Sequence, residues 1–109
     1  MNDAKFDRLR KYSDDVNAIL DLYNEQKRIP EKDIDEARGM YRHLKRKLEA
    51  EVNACRSNYD SWYAPTITEA FYRLASAGTK PETWFSGLYD AQADFKRTIA
   101  SHLGQKEKR

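Results

Sequence analysis

The sequence predicts an all-α fold, an antiparallel bundle in which a long helical hairpin precedes a short third helix and a longer fourth. Three observations predict it. Apolar residues recur at intervals of three and four along almost the whole chain, as they do on amphipathic helices. Only four glycines and three prolines interrupt 109 residues, which leaves room for few loops. Hydrophobic residues make up 39% and charged residues 35%, a polar balance that suits long helices with narrow apolar stripes.

The first helix is expected from about Asp3 to Lys27, with Phe6, Leu9, Tyr12, Val16, Ile19, Leu20 and Tyr23 on one face. The segment RIPEKD then reads as a turn. Pro30 favours a helix start, and Ile29 with Ile34 has the offset of a hydrophobic staple. The strongest stripe follows, through Ile34, Ala37, Tyr41, Leu44, Leu48, Val52, Cys55, Tyr59 and Trp62. It predicts a second helix of about 32 residues, or about 48 Å, overhanging the first by about 10 Å. The four-residue steps at Leu44, Leu48 and Val52 break a strict heptad, so a regular coiled coil is not expected.

Pro65 is expected to end or bend that helix, because the residue before a proline avoids the α region. Thr66 with Glu69 has the spacing of a capping box, and Ile67, Phe71 and Leu74 give a short third helix closed by Gly78. Thr79 with Glu82 repeats the cap. The fourth helix turns Trp84, Leu88, Phe95, Ile99 and Leu103 inward and stops at Gly104. One domain is expected over residues 1–104, with a charged tail at 105–109. Gly87 lies beside the inward stripe, where a missing side chain permits close contact, whereas Gly39 lies opposite its own.

Composition also bounds function. Twenty basic residues against 18 acidic ones leave a formal charge of +2, which argues against a binder that works by net charge alone. A single cysteine, Cys55, excludes an internal disulfide, and with two histidines it cannot complete a zinc site in one chain. The amino-terminal MNDAKFDRLRK lacks the apolar core of a signal peptide, and no apolar run reaches the roughly 20 residues of a membrane span. A soluble cytoplasmic protein without a cofactor is the expectation, with no membrane partner.

Two groups of residues are candidate binding sites. Tyr63, Tyr72 and Tyr89 fall about 100° off their stripes, and Phe85 widens the apolar arc beside Trp84. Gathered at one end of a bundle, these four have the composition of a protein-interface hot spot; as border residues of the core they need no partner. The second group is a basic ridge, Arg38, Arg42 and Arg46 with Lys45 alongside, spaced as a helix laid against phosphates requires. Its plainer reading is a solvated face paired with Glu31, Asp35, Glu49, Glu51 or the aspartates of the first helix, Asp14, Asp15 and Asp21. No aromatic interleaves the ridge on its outer side, as single-strand stacking would favour.

Enzyme readings lack parts. Neither histidine stands three residues after a glutamate, as a di-iron bundle requires, and Cys55 belongs to the inward stripe. Arg38 to His43 and Arg97 to His102 fit R-x4-H, a pattern that resembles the motif of HEPN-type ribonucleases, small helical bundles that usually work as dimers. Membership would imply RNA cleavage. Each pair lies about 140° apart on a straight helix, however, and Gly39 and Thr98 occupy the position after the arginine where that family typically carries a polar residue such as Asn, Asp or His. Residues 65–73, PTITEAFYR, resemble the Pro-x-Ile-x-Glu-Ala-x-x-Arg stretch of the theta subunit of bacterial replicative polymerase, a small helical accessory protein without catalysis of its own. That match covers nine residues, and the long hairpin before them has no counterpart there. The reading the sequence favours is a non-enzymatic protein-interaction module, an accessory, adaptor or inhibitor-type bundle whose partner is another protein or a second copy in a homodimer. A nucleic-acid-binding bundle is second.

Overall fold

A computed structural model describes residues 3–57 and 60–107. It contains four helices, α1 (Asp3–Leu20), α2 (Ile34–Cys55), α3 (Ala64–Ala75) and α4 (Pro81–Glu107), with one 3-10 turn at Glu31–Asp33. Helix accounts for 79% of the described residues and no strand occurs among them, so the fold is an all-α bundle. No helix among them is long and apolar enough to cross a membrane.

Side-chain pairs fix the directions. Arg8 meets Glu51 and Lys47 meets Asp15, which sets α2 antiparallel to α1. Tyr41 reaches the carbonyl of Leu74 and Arg38 that of Thr79, so α3 runs back along α2. Thr66 pairs with Thr98 and Arg73 with Asp90 and Asp94, which reverses α4 on α3. The ring closes where Ser13 donates to Gln92, 2.8 Å away and buried. Of all the pairings, α1 on α4 is the most extensive.

The apolar stripes meet along the axis of this ring. Leu9, Val16, Ile19, Leu44, Leu48, Ile67, Leu74, Leu88 and Phe95 are almost wholly removed from solvent. At one end Tyr41 stacks on Trp84 with centroids 4.0 Å apart and planes 6° from parallel. Both polar tips are satisfied there: Tyr41 Oη donates to the Leu74 carbonyl at 2.7 Å and Trp84 Nε1 to the Gly78 carbonyl at 3.0 Å. Gly78 itself has φ +86°, a left-handed turn between α3 and α4 that favours glycine. At Gly87 an added Cβ would come within 3.3 Å of the Arg73 carbonyl oxygen, so the bare backbone lets α4 approach α3. Gly39 faces open space.

Several boundaries differ from the sequence reading. Helix α1 ends at Leu20 rather than near Lys27, because Asn24 builds a turn of its own: its Oδ1 accepts from the Gln26 and Arg28 amides, and Lys27 takes φ +61°. Asparagine competes with a helix in this way. Helix α2 stops at Cys55, so the expected 32-residue helix and its overhang do not form. The Ser57 hydroxyl turns back onto the Ala54 carbonyl at that end. Tyr59 lies outside the described residues. Pro65 does not terminate α2; it occupies the first turn of α3, where a missing N–H costs nothing. Neither expected capping box forms, since both helices start at other residues than the boxes require. Thr66 pairs with Thr98 instead, and the N-terminus of α4 is held by the Thr83 hydroxyl on the Ala77 and Lys80 carbonyls. Helix α4 continues through Gly104 to Glu107, into the expected tail, and Leu103 is 42% exposed rather than inward. Glycine inside a helix costs only about 1 kcal/mol, and it ends one only where the backbone turns left-handed.

Candidate binding surface

The four aromatic candidates do not share one surface. Tyr63 is 0% exposed and sits in the core, a correction to its reading as an interface residue. The cause is the early end of α2. Tyr63 caps the start of α3 instead of riding the outer side of an extended α2, so its direction is set by the connecting segment. Its ring lies 5.6 Å from Lys5 Nζ and 5.3 Å from the Trp62 ring. Burial raises its phenol above the ordinary tyrosine range, partly opposed by the nearby Arg8 guanidinium. The Tyr63 hydroxyl makes no hydrogen bond among the described residues.

Tyr72 and Tyr89 are 59% and 61% exposed, but on different helices and beside different neighbours. Tyr89 stacks on the half-buried Phe85 at 6.1 Å. Phe85 in turn meets Tyr23 edge-on at 5.1 Å and lies 5.4 Å below Lys27 Nζ, in a cleft of about 350 Å³ where the α1–α2 connection crosses α4. Tyr72 projects from α3 beside Phe71, centroids 5.5 Å apart.

The four basic candidates, by contrast, come together. They line two adjoining clefts between α2 and the α3 side of the bundle. The first, of about 140 Å³, is bordered by Arg38, Arg42 and Lys45 over Tyr41 and Trp84. The second, of about 280 Å³, is bordered by Arg42, Lys45, Arg46 and Glu49 with Phe71 and Ala75 across it. Arg42 and Lys45 belong to both, so the clefts form one groove. Arg38 is held by its hydrogen bond to the Thr79 carbonyl at 3.2 Å, and Lys45 Nζ lies 5.5 Å from the Tyr41 ring.

Of the acids expected to neutralise this ridge, Glu49 borders the second cleft without an ion pair among the described residues, and Glu51 and Asp15 are engaged between α1 and α2. Glu51 turns to α1, where Arg8 Nε is 3.1 Å away and the Tyr12 hydroxyl donates to it at 3.0 Å. Asp15 takes Lys47. Among the described residues Arg38, Arg42 and Arg46 form no ion pair with a carboxylate. Sequence reasoning also missed an aromatic for this surface. Phe71 shares the stripe of Ile67 and Leu74, yet it is half-buried and forms the wall facing the ridge, with Tyr72 exposed next to it. The available signal was the unbroken pair Phe71-Tyr72: two adjacent aromatics on one helix lie about 100° apart, so at least one of them stands at the edge of the buried face.

Chemistry-bearing residues do not converge. His102 stacks on Trp62 at 4.6 Å and meets Phe6 at 5.0 Å, while Arg97 pairs with Asp94 at 2.7 Å. His43 is exposed on α2. Neither R-x4-H pair is therefore assembled within this chain. Cys55 is buried, and burial with Glu51 nearby raises its thiol pKa against the opposing effect of Lys5 and Arg8, the reverse of what a nucleophilic thiolate needs. Among the described residues no three His, Cys, Asp or Glu side chains gather as metal ligands. Set beside known proteins, the chain matches no family model, no curated protein and no solved structure at a significant level.

Proposed function

We propose that this chain is a non-enzymatic helical binding module that holds a polyanionic partner along the groove between α2 and α3. One observation carries the reading: Arg38, Arg42, Lys45 and Arg46 line a continuous groove, and among the described residues the three arginines have no carboxylate partner. Unneutralised guanidinium groups in a row suit phosphate oxygens, which accept the forked donors of arginine in pairs. The test is charge reversal. The parent should be retained on heparin at low salt, and the triple variant Arg38→Glu, Arg42→Glu and Arg46→Glu should pass through unretained with an unchanged helical spectrum, since two of the three positions touch only solvent and cleft. A parent that is not retained sinks the proposal.

A second reading, docking to a protein or to another copy of the chain, rests on the exposed Tyr89 stacked on the half-buried Phe85 beside Lys27. Stacked aromatics at a surface are typical anchors. If the chain self-associates there, its mass by light scattering should rise with concentration and return to that of a monomer in Tyr89→Ser. A parent that stays monomeric across the range removes self-association.

A further inference from the structure

We infer that the partner held in the α2–α3 groove is single-stranded nucleic acid, with Tyr72 as a platform on which a base stacks; this rests on the polyanion reading above. The ridge alone does not select a strand over any other polyanion. What adds selectivity is the aromatic wall opposite it. Phe71 closes the groove from α3, and Tyr72, 59% exposed, leans against Phe71 with its ring tilted 57°. The Phe71 ring supports it from the groove side, and more than half of the residue remains open to solvent.

Charge and size point the same way. A net charge of +2 gives little long-range attraction, so a bound strand has to gain affinity from something besides Coulomb energy. Stacking on an aromatic ring supplies it, about 1 to 3 kcal/mol per base whatever the base. The ridge steps by four residues, about 6 Å, and spans about 12 Å in all. That is room for a few successive phosphates of one strand, whereas a duplex would hide its bases from Tyr72. Arginines on one wall, Phe71 on the other and the exposed Tyr72 next to Phe71 give the pairing of basic groove and aromatic platform that single-strand binders combine.

The experiment is fluorescence anisotropy at low salt with a labelled oligothymidine, the same length as a duplex, and poly-glutamate as competitor. The parent is expected to prefer the single strand. Tyr72→Ala should weaken it about 5- to 150-fold and leave duplex binding unchanged, while Tyr72→Trp retains the affinity; circular dichroism confirms that both variants are folded. If Tyr72→Ala binds the oligothymidine as the parent does, stacking is wrong and the groove reading survives. Displacement by poly-glutamate at equal charge concentration, with the tyrosine immaterial, would assign the groove to an acidic protein and overturn the nucleic-acid inference. A parent that binds neither oligonucleotide nor heparin overturns the groove itself.

Discussion

Replacing Tyr63 by serine is expected to destabilise the protein by about 3 to 5 kcal/mol, the usual loss when a large buried ring is truncated. For a domain of this size each kcal/mol is about 4 to 8 °C of melting temperature, so the midpoint should fall by well over 10 °C. Tyr72→Ser should move it by no more than about 0.5 kcal/mol, because that ring stands in solvent. Tyr63→Phe supplies the control. It keeps the ring and removes a buried hydroxyl that makes no hydrogen bond, so it should stay within about 1 kcal/mol of the parent. Thermal melts of the three variants separate packing from surface. A Tyr63→Ser protein that melts with the parent would mean that the ring is not in the core and that the segment leading into α3 is placed wrongly.

The second large effect is on binding. If four cations of the groove meet phosphates of a single strand, the logarithm of the affinity should fall with the logarithm of salt at a slope near −2.8, at about 0.7 per contact. Between 50 and 200 mM salt that is roughly a 50-fold loss. Arg42→Gln, at the residue common to both clefts, should flatten the slope by about 0.7. Equilibrium titrations at four salt concentrations measure it. A flat dependence, or one that Arg42→Gln leaves unaltered, would show that these side chains do not neutralise the ligand.

The fold class was legible because most apolar stripes survived into the core: Leu9, Val16, Ile19, Leu44, Leu48 and Leu88 are buried where periodicity places them. Helix ends were less legible. The run Ser57-Asn58-Tyr59-Asp60-Ser61 is rich in residues that bond their own backbone, yet Tyr59 and Trp62 happen to continue the phase of α2, and the stripe was followed past its end. Asn24 was passed over in the same manner, since Tyr23 prolongs the face of α1 through its bond to the Pro81 carbonyl. The error at Tyr63 is inherited from α2, because an angle counted along a helix has no meaning once the helix has stopped. The ridge at Arg38, Arg42 and Arg46 was visible as spacing alone. What could not be read from one strand of text is which carboxylates would face it, for that depends on the rotation of α1 against α2, and Glu51 and Asp15 turned the other way.

The buried bond between Ser13 and Gln92 joins residues 79 positions apart. During synthesis α1 therefore leaves the ribosome long before the helix that covers it, and α4 begins roughly 60 residues later, several seconds at ordinary elongation rates. Over that interval Leu9, Val16 and Ile19 have only α2 to shelter them. Final assembly waits for the last helix. Until α4 emerges, the faces of α1 and α3 that it covers stay open to water, the stage at which a chaperone would find the chain and at which a stalled or shortened message would leave an aggregation-prone product.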